Sequence, residues 1–315
     1  MVAYITDYIE NPTIEHEILG DKLSDTQNDN IEVLLVWHKE IDSKYLSSFP
    51  NLKGVVRYGV GYDNVDLDAI KSRGLIFCNT PDYGTDEVSD TAIAFILNIA
   101  RGISRYDFQC RYYDDGSWQE NTIPTIRRTS ELNLGIIGAG RIGGSVCLKA
   151  KAIGFNVSFY DPYLDSGYEK MIGVHRNESM KNLLMSSDIV SLHVPLSKRT
   201  KSMVNSQFIK TMKSGSSLVN TARGELIESF DIIYDSLYSG TLSSVALDVL
   251  PKEPPPHTNN LINAWYNREE WLDGRLLINP HSAYYSIRAY REMRLKTAQN
   301  ALRIINGEQP KNIIC

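Results

Sequence analysis

Along this chain short apolar runs alternate with longer segments whose apolar positions recur at helical spacing, and polar stretches containing glycine or proline separate them. Residues 2–6, 31–36, 54–57 and 75–78 are the predicted strands of the first part, a small parallel α/β unit. Asn79-Thr80-Pro81 breaks the pattern, and we place a hinge near Pro81. A long helix is then predicted from Asp86-Glu87-Val88-Ser89-Asp90 through Ala94, Leu97 and Ala100 to Arg101-Gly102. Acidic residues in its first turn and Arg-Gly at its end suit the helix dipole and a C-terminal stop. A loop rich in Tyr, Asp and Arg over residues 106–128 follows, expected to pack on a partner subunit. Strands resume at 133–137, 156–160, 188–193, 216–221, 242–249 and 276–279, which predicts a second, larger α/β unit with a parallel sheet.

The strand at 133–137 runs into Gly138-Ala139-Gly140-Arg141-Ile142-Gly143, a Gly-x-Gly-x-x-Gly turn followed by a helix with Val146 and Ala150 on one face. Gly138 allows a tight turn, Gly140 lets the backbone approach a pyrophosphate, and Gly143 lets the helix lie close on the sheet. An anion would rest on the helix N-terminus, where unpaired N–H groups and the positive dipole end favour it. Glycine-rich turns alone say little. Here the next strand ends in Asp161, eighteen residues past Gly143, where a carboxylate accepts hydrogen bonds from an adenosine ribose and repels a 2′-phosphate. The cofactor expected is therefore NAD rather than NADP.

Length and composition change this picture little. The 315 residues suffice for two domains, and 42% hydrophobic with 23% charged residues is ordinary for a globular protein. A net charge of -5 gives no bulk attraction to nucleic acid or to an anionic membrane. No apolar run approaches the length of a membrane span, and no basic segment with a long apolar core opens the chain. Cys78, Cys110, Cys147 and Cys315 lack metal-like spacing and read as reduced thiols, so we expect a cytoplasmic protein with no metal.

In doubly wound sheets ligands bind beyond the carboxyl ends of the strands, so residues just past those ends carry functional weight. After the strand at 54–57, Arg57 and Gly59-Val60-Gly61 can turn a charge and backbone N–H groups toward an anion, although a plain connector fits as well. Past the later strands stand Arg223, Asp248, Glu253 and His281. Oxidising a 2-hydroxy acid, or reducing a 2-keto acid, needs a proton moved at the oxygen, a polarised carbonyl and a carboxylate held still. His281 suits the proton, Glu253 would hold its ring in one tautomer, and the planar fork of Arg223 would grip the carboxylate. Each has a plainer alternative: His281 as a strand-end cap, Glu253 as a surface charge, and Arg223 as a phosphate or structural contact. His193 is a competing acid or base, ranked lower because Val194-Pro195-Leu196 reads as a loop covering the cofactor.

Taken together these segments resemble the D-isomer-specific 2-hydroxyacid dehydrogenases, most closely the C-terminal-binding-protein branch. The resemblance rests on residues 59–66, the glycine turn with Asp161, residues 218–224, Ala246-Leu247-Asp248-Val249 with Glu253-Pro254, and residues 280–286, in family order along nearly the whole chain. It implies a Rossmann doubly wound parallel sheet over residues 81–286, plus a smaller flavodoxin-like α/β substrate domain made of 1–80 and 287–315. The latter would include a C-terminal helix from about Ser286, where Tyr290, Met293 and Ala298 recur. It implies Arg223, Glu253 and His281 as the catalytic three. The implied cofactor contacts are Ile137, Gly138, Gly140, Arg141, Ile142, Gly143, Asp161, the loop Val194 and Pro195 to Thr200, Thr221, Ala222, Arg223 and Asp248, with His281 at the nicotinamide end. Val60 and Gly61 would clamp the substrate carboxylate, and Arg57 would be a charged substrate contact. The implied assembly is a homodimer.

Two departures stand out. The co-repressor branch has a tryptophan where this chain has Tyr284, and with Arg57, Tyr58 and Tyr62 this hints at a polar, phosphorylated or carboxylated substrate. Residues 254–277 form a long stretch whose Leu261, Trp265, Trp271 and Leu272 suggest an amphipathic helical insertion, expected to pack on its own domain or a dimer mate. The sequence thus points to an NAD-dependent oxidoreductase acting on a small 2-hydroxy or 2-keto acid. The alternative is an NAD(H)-responsive co-repressor-like binding protein, disfavoured by the lack of long tails at either end.

Overall fold

A computed structural model describes residues 2–7, 9–111, 118–120 and 123–315. The chain divides into two compact units, residues 1–84 with 284–315, and residues 85–283.

In the smaller unit, β1 (Val2–Ile5), β2 (Leu23–Ser24), β3 (Ile31–Val36), β4 (Gly54–Arg57) and β5 (Ile76–Cys78) form a parallel sheet in the order β2-β1-β3-β4-β5. The apolar runs are buried on both faces, as parallel sheets require. Val33, Leu35 and Val56 face α1 (Thr13–Leu19) and α12 (Ile287–Ile305), while Leu34, Val36 and Val55 face α2 (Ser43–Ser47) and α3 (Leu67–Ser72). Ser286 caps α12 by accepting from the Ala289 N–H, and Met293, Ala298 and Ala301 of that helix are buried.

The larger unit opens with α4 (Thr85–Arg101), which ends at Gly102 in the left-handed conformation, but a second helix, α5 (Ile103–Cys110), follows at once. The predicted loop over 106–128 is therefore helical at its start, and residues 112–117, 121 and 122 lie outside the described residues. Strands β6 (Asn133–Ile137), β7 (Asn156–Tyr160), β8 (His175–Arg176), β9 (Ile189–Leu192), β10 (Ser216–Asn220), β11 (Leu242–Leu247) and β12 (Leu276–Ile278) form a seven-stranded parallel sheet, ordered β12-β11-β10-β9-β6-β7-β8. Strand order reverses between β6 and β9, so a ligand crevice is expected beyond their carboxyl ends. Helices cover both faces: α6 (Arg141–Ile153) with α4 and α7 (Tyr168–Ile172) on one, and α8 (Met180–Ser186), α9 (Ser206–Thr211), α10 (Phe230–Tyr238) and α11 (Asn260–Tyr266) on the other.

At the amino ends of the strands, buried Asp188 accepts from the Asn133 N–H at 2.9 Å, from Lys213 at 2.6 Å and from Arg127 at 2.6 Å. Burial pushes its carboxyl up, but these three donors outweigh burial and hold it below the usual carboxylate range.

The stretch over 254–277 is not one amphipathic helix. It holds the short α11, then turns back to the sheet, with Leu261 and Leu272 fully inside the core and Trp271 packed against it. Arg275 fastens its end by donating to the carbonyls of Leu237, Leu242, Ser243 and Trp271, so the stretch packs on its own unit.

Among the described residues no helix is long and apolar enough to cross a membrane, and the four cysteines are unpaired.

Candidate functional site

The crevice beyond β6 is built from the glycine turn. Gly138 has φ +86°, and a side chain on Gly143 would put its Cβ 1.9 Å from the Gly138 carbonyl oxygen, so α6 can lie this close to the turn only with glycine there. A Cβ on Gly140 would meet no atom within 4 Å, which leaves the space over the α6 N-terminus open. Gly140 is the N-cap of α6 and no side chain caps it, so the first N–H groups of the helix face that space. A dinucleotide pyrophosphate fits these features. Asp161, just past β7, accepts from the Ala139 N–H and the Tyr163 N–H, both at 3.0 Å. Its carboxylate thus braces the turn as well as standing where a ribose is expected.

The loop after β9 is folded on itself: the Thr200 hydroxyl donates to the Pro195 carbonyl at 2.7 Å and accepts from the Ser197 N–H at 2.8 Å. Val194 packs against the core, and Arg199 donates to the Tyr163 hydroxyl at 3.0 Å, linking this loop to the one carrying Asp161. The buried Thr221 hydroxyl just past β10 has no partner among the described residues, a polar group left for a ligand to satisfy.

Strands β10, β11 and β12 are neighbours, with Asn220 level with Leu247 and Leu247 level with Ile278. Arg223, Glu253 and His281 follow this row on adjacent loops. Asn220 shapes the first loop, accepting from the Ala222 N–H and donating to the Arg223 carbonyl. A Cβ on Gly224 would fall 1.8 Å from the Leu250 carbonyl oxygen, so the loops after β10 and β11 touch backbone to backbone. This close approach brings the Arg223 guanidinium near enough to Glu253 to stabilise its charge.

Glu253 uses both oxygens: one accepts from the Leu250 N–H at 2.8 Å, the other lies 2.8 Å from His281 Nδ1. Burial pushes the Glu253 carboxyl up, and His281, the Leu250 N–H and Arg223 together bring it below the usual range. The carboxylate is therefore charged at neutral pH and accepts a hydrogen bond from Nδ1–H, which leaves Nε2 of His281 for chemistry. His281 sits at φ +55°, a backbone conformation held by Asp248. The Asp248 carbonyl accepts from the His281 N–H, and its carboxylate accepts from the Ser282 and Ala283 N–H groups at 2.9 and 3.0 Å. Burial raises the Asp248 carboxyl, and those bonds only partly offset it.

The rival histidine has another fate. His193 Nε2 lies 2.8 Å from the Ser191 hydroxyl, and burial pushes the imidazole down to about 3. A ring kept neutral is a far weaker acid than a protonated one, so His193 is poorly suited to deliver the proton.

The remaining predicted residues lie in the smaller unit. Arg57, at the end of β4, donates through Nε to Asn64 Oδ1 at 3.3 Å, and the Val60 carbonyl accepts from Asn79 at 2.7 Å, which pins the loop containing Gly61. Tyr284 meets Tyr83 edge to face, ring centres 5.9 Å apart. Tyr58 is not a substrate group: it is fully buried, and its hydroxyl donates to Glu15, which Arg294 pairs at 2.5 Å. Tyr62 packs its edge on Phe77. Two positions escaped sequence reasoning, Ser191 beneath His193 and Tyr168 beside the glycine turn. The unneeded second glycine of Gly143-Gly144 was the signal for the latter.

Residues 93–283 match the family model for the D-isomer specific 2-hydroxyacid dehydrogenase, NAD binding domain. A glyoxylate reductase of Korarchaeum cryptofilum is 32% identical over 87% of this chain and 79% of its own, and one of Thermococcus litoralis is 32% identical over 90% and 82%. Among solved structures, D-lactate dehydrogenase from Aquifex aeolicus complexed with NAD and lactic acid is similar over 100% of this chain and 99% of its own, with 28% identity and a TM-score of 0.85. Fold, cofactor crevice and sequence agree: the chain belongs to the D-isomer specific 2-hydroxyacid dehydrogenases, NAD-dependent oxidoreductases, and its larger unit carries their NAD-binding domain.

Proposed function

We propose that this protein reduces a small 2-keto acid to the D-2-hydroxy acid with NADH, glyoxylate and pyruvate being the first substrates to try. The observation that carries the proposal is the His281–Glu253 pair, 2.8 Å apart, with Arg223 on the adjoining loop. The glycine turn and Asp161 would hold NADH, whose chemistry when bound is hydride donation to the carbonyl carbon. His281 gives the Nε2 proton to the carbonyl oxygen, and Glu253 stabilises the protonated ring beforehand. Arg223 grips the keto acid and polarises its carbonyl, a charge–dipole effect that grows as the oxygen becomes negative. Val60 and Gly61, with Arg57 and Tyr284, would belong to a substrate domain that recognises the carboxylate and the rest of the acid.

The named relatives are glyoxylate reductases, which favours a small substrate over the co-repressor branch. We further propose a homodimer in the cytoplasm; the dimer follows the family resemblance, and the unpaired thiols fit a reducing compartment. The test is to mix the purified protein with NADH and 2-keto acids of increasing size and follow nicotinamide absorbance. Turnover with the smallest acids supports the proposal; tight NADH binding without turnover of any keto acid refutes it.

A further inference from the structure

The fingerprint accounts for three glycines and for Asp161, but not for Gly144 or for a tyrosine 29 residues past Ala139. Ala139, the one residue between Gly138 and Gly140, is fully buried, and its peptide groups are held from both sides. Its N–H donates to Asp161 at 3.0 Å, and its carbonyl accepts from the Tyr168 hydroxyl at 2.9 Å. Tyr168 stands on α7 with its ring edge-on to buried Phe159, centres 5.9 Å apart. Burial, Cys147 and Asp161 raise its phenol, which keeps the hydroxyl a donor. A Cβ on Gly144 would lie 2.6 Å from the Tyr168 oxygen but 3.9 Å from the ring carbon bearing it. The hydroxyl is thus the nearest obstacle to a side chain at 144, with the Ala139 carbonyl oxygen that it holds next at 3.3 Å.

We propose that Tyr168 is a positioning residue for the dinucleotide: it fixes the Ala139 peptide, with Gly144 making room for its hydroxyl, so that the turn is set before cofactor binds. The N–H groups that follow at the α6 N-terminus then meet the pyrophosphate without rearrangement, which spares an ordering cost on binding. This rests on the dinucleotide role of the turn, and wild-type NADH binding, measured directly, checks that role separately from Tyr168.

The experiment is a fluorescence titration of full-length wild type, Tyr168→Phe, Gly144→Ala and the double variant with NADH, beside melting curves. Each single change should weaken NADH by roughly 3- to 10-fold, the worth of one neutral hydrogen bond, with the loss falling on KM for NADH rather than on kcat. Because phenylalanine removes the atom that alanine would strike hardest, leaving only the 3.3 Å approach to the Ala139 carbonyl oxygen, the double variant should bind about as well as Tyr168→Phe alone. Wild-type affinity in either single variant overturns the proposal, even if its melting temperature drops. Losses that multiply in the double variant overturn it too.

Discussion

Nδ1 of His281 lies 2.8 Å from a Glu253 carboxylate oxygen whose twin accepts the Leu250 N–H at 2.8 Å. The carboxylate is thus anchored to the backbone of its own loop, so it orients the ring instead of following it. Replacing it with an amide keeps the shape and removes the charge. We expect Glu253→Gln to slow keto-acid reduction by roughly 10- to 100-fold. The Glu253 carboxyl is held below the usual carboxylate range, so the wild-type rate should persist as pH falls through that range and drop only below it. A rate that Glu253→Gln leaves unchanged would separate Glu253 from the proton transfer.

The Arg223 charge helps hold the Glu253 carboxyl down across the point where the β10 and β11 loops meet, at Gly224 and Leu250. Lysine there keeps the charge and loses the planar fork. We expect Arg223→Lys to lower kcat/KM by about 100-fold while NADH affinity, read by fluorescence, stays near wild type.

Asp161 braces the glycine turn through the Ala139 N–H and also repels a 2′-phosphate. Asp161→Asn retains an acceptor but not the charge. Its NADH affinity should fall by roughly several-fold, and its preference for NADH over NADPH should narrow. A variant that keeps the full preference would place cofactor choice elsewhere.

Asp188 ties the amino ends of the larger sheet to Lys213 and Arg127. Its folded carboxyl is held down, so its contribution to stability is complete above the unfolded value near 4 and is lost as pH falls through the folded one. With both cations partly exposed, we expect Asp188→Asn to cost about 2 kcal/mol at pH 7. Urea unfolding should show the gap from wild type closing as pH drops below about 4.

Much of the fold was legible because its strands are buried apolar runs and its helices carry local stop signals. The two strands missed, β2 and β8, have two residues each, too few for any period to register. Gly102 did end a helix, yet nothing local forbade another from starting at Ile103. Tyr58 looked like a ligand group because it sits in a polar loop; its partner Glu15 is 43 residues away and that residue's partner Arg294 a further 279, a separation no window spans. Of the two candidate histidines, only burial, visible in three dimensions, distinguishes neutral His193 from His281 beside its carboxylate.

The most direct measurement is single-turnover reduction of glyoxylate by His281→Ala at saturating NADH, with NADH affinity determined on the same preparation. Loss of the hydride-transfer rate by about 100-fold or more, with affinity within about two-fold of wild type, is the result expected of a lost acid. A rate close to wild type would contradict the assignment of His281 and, with it, the mechanism proposed for this site.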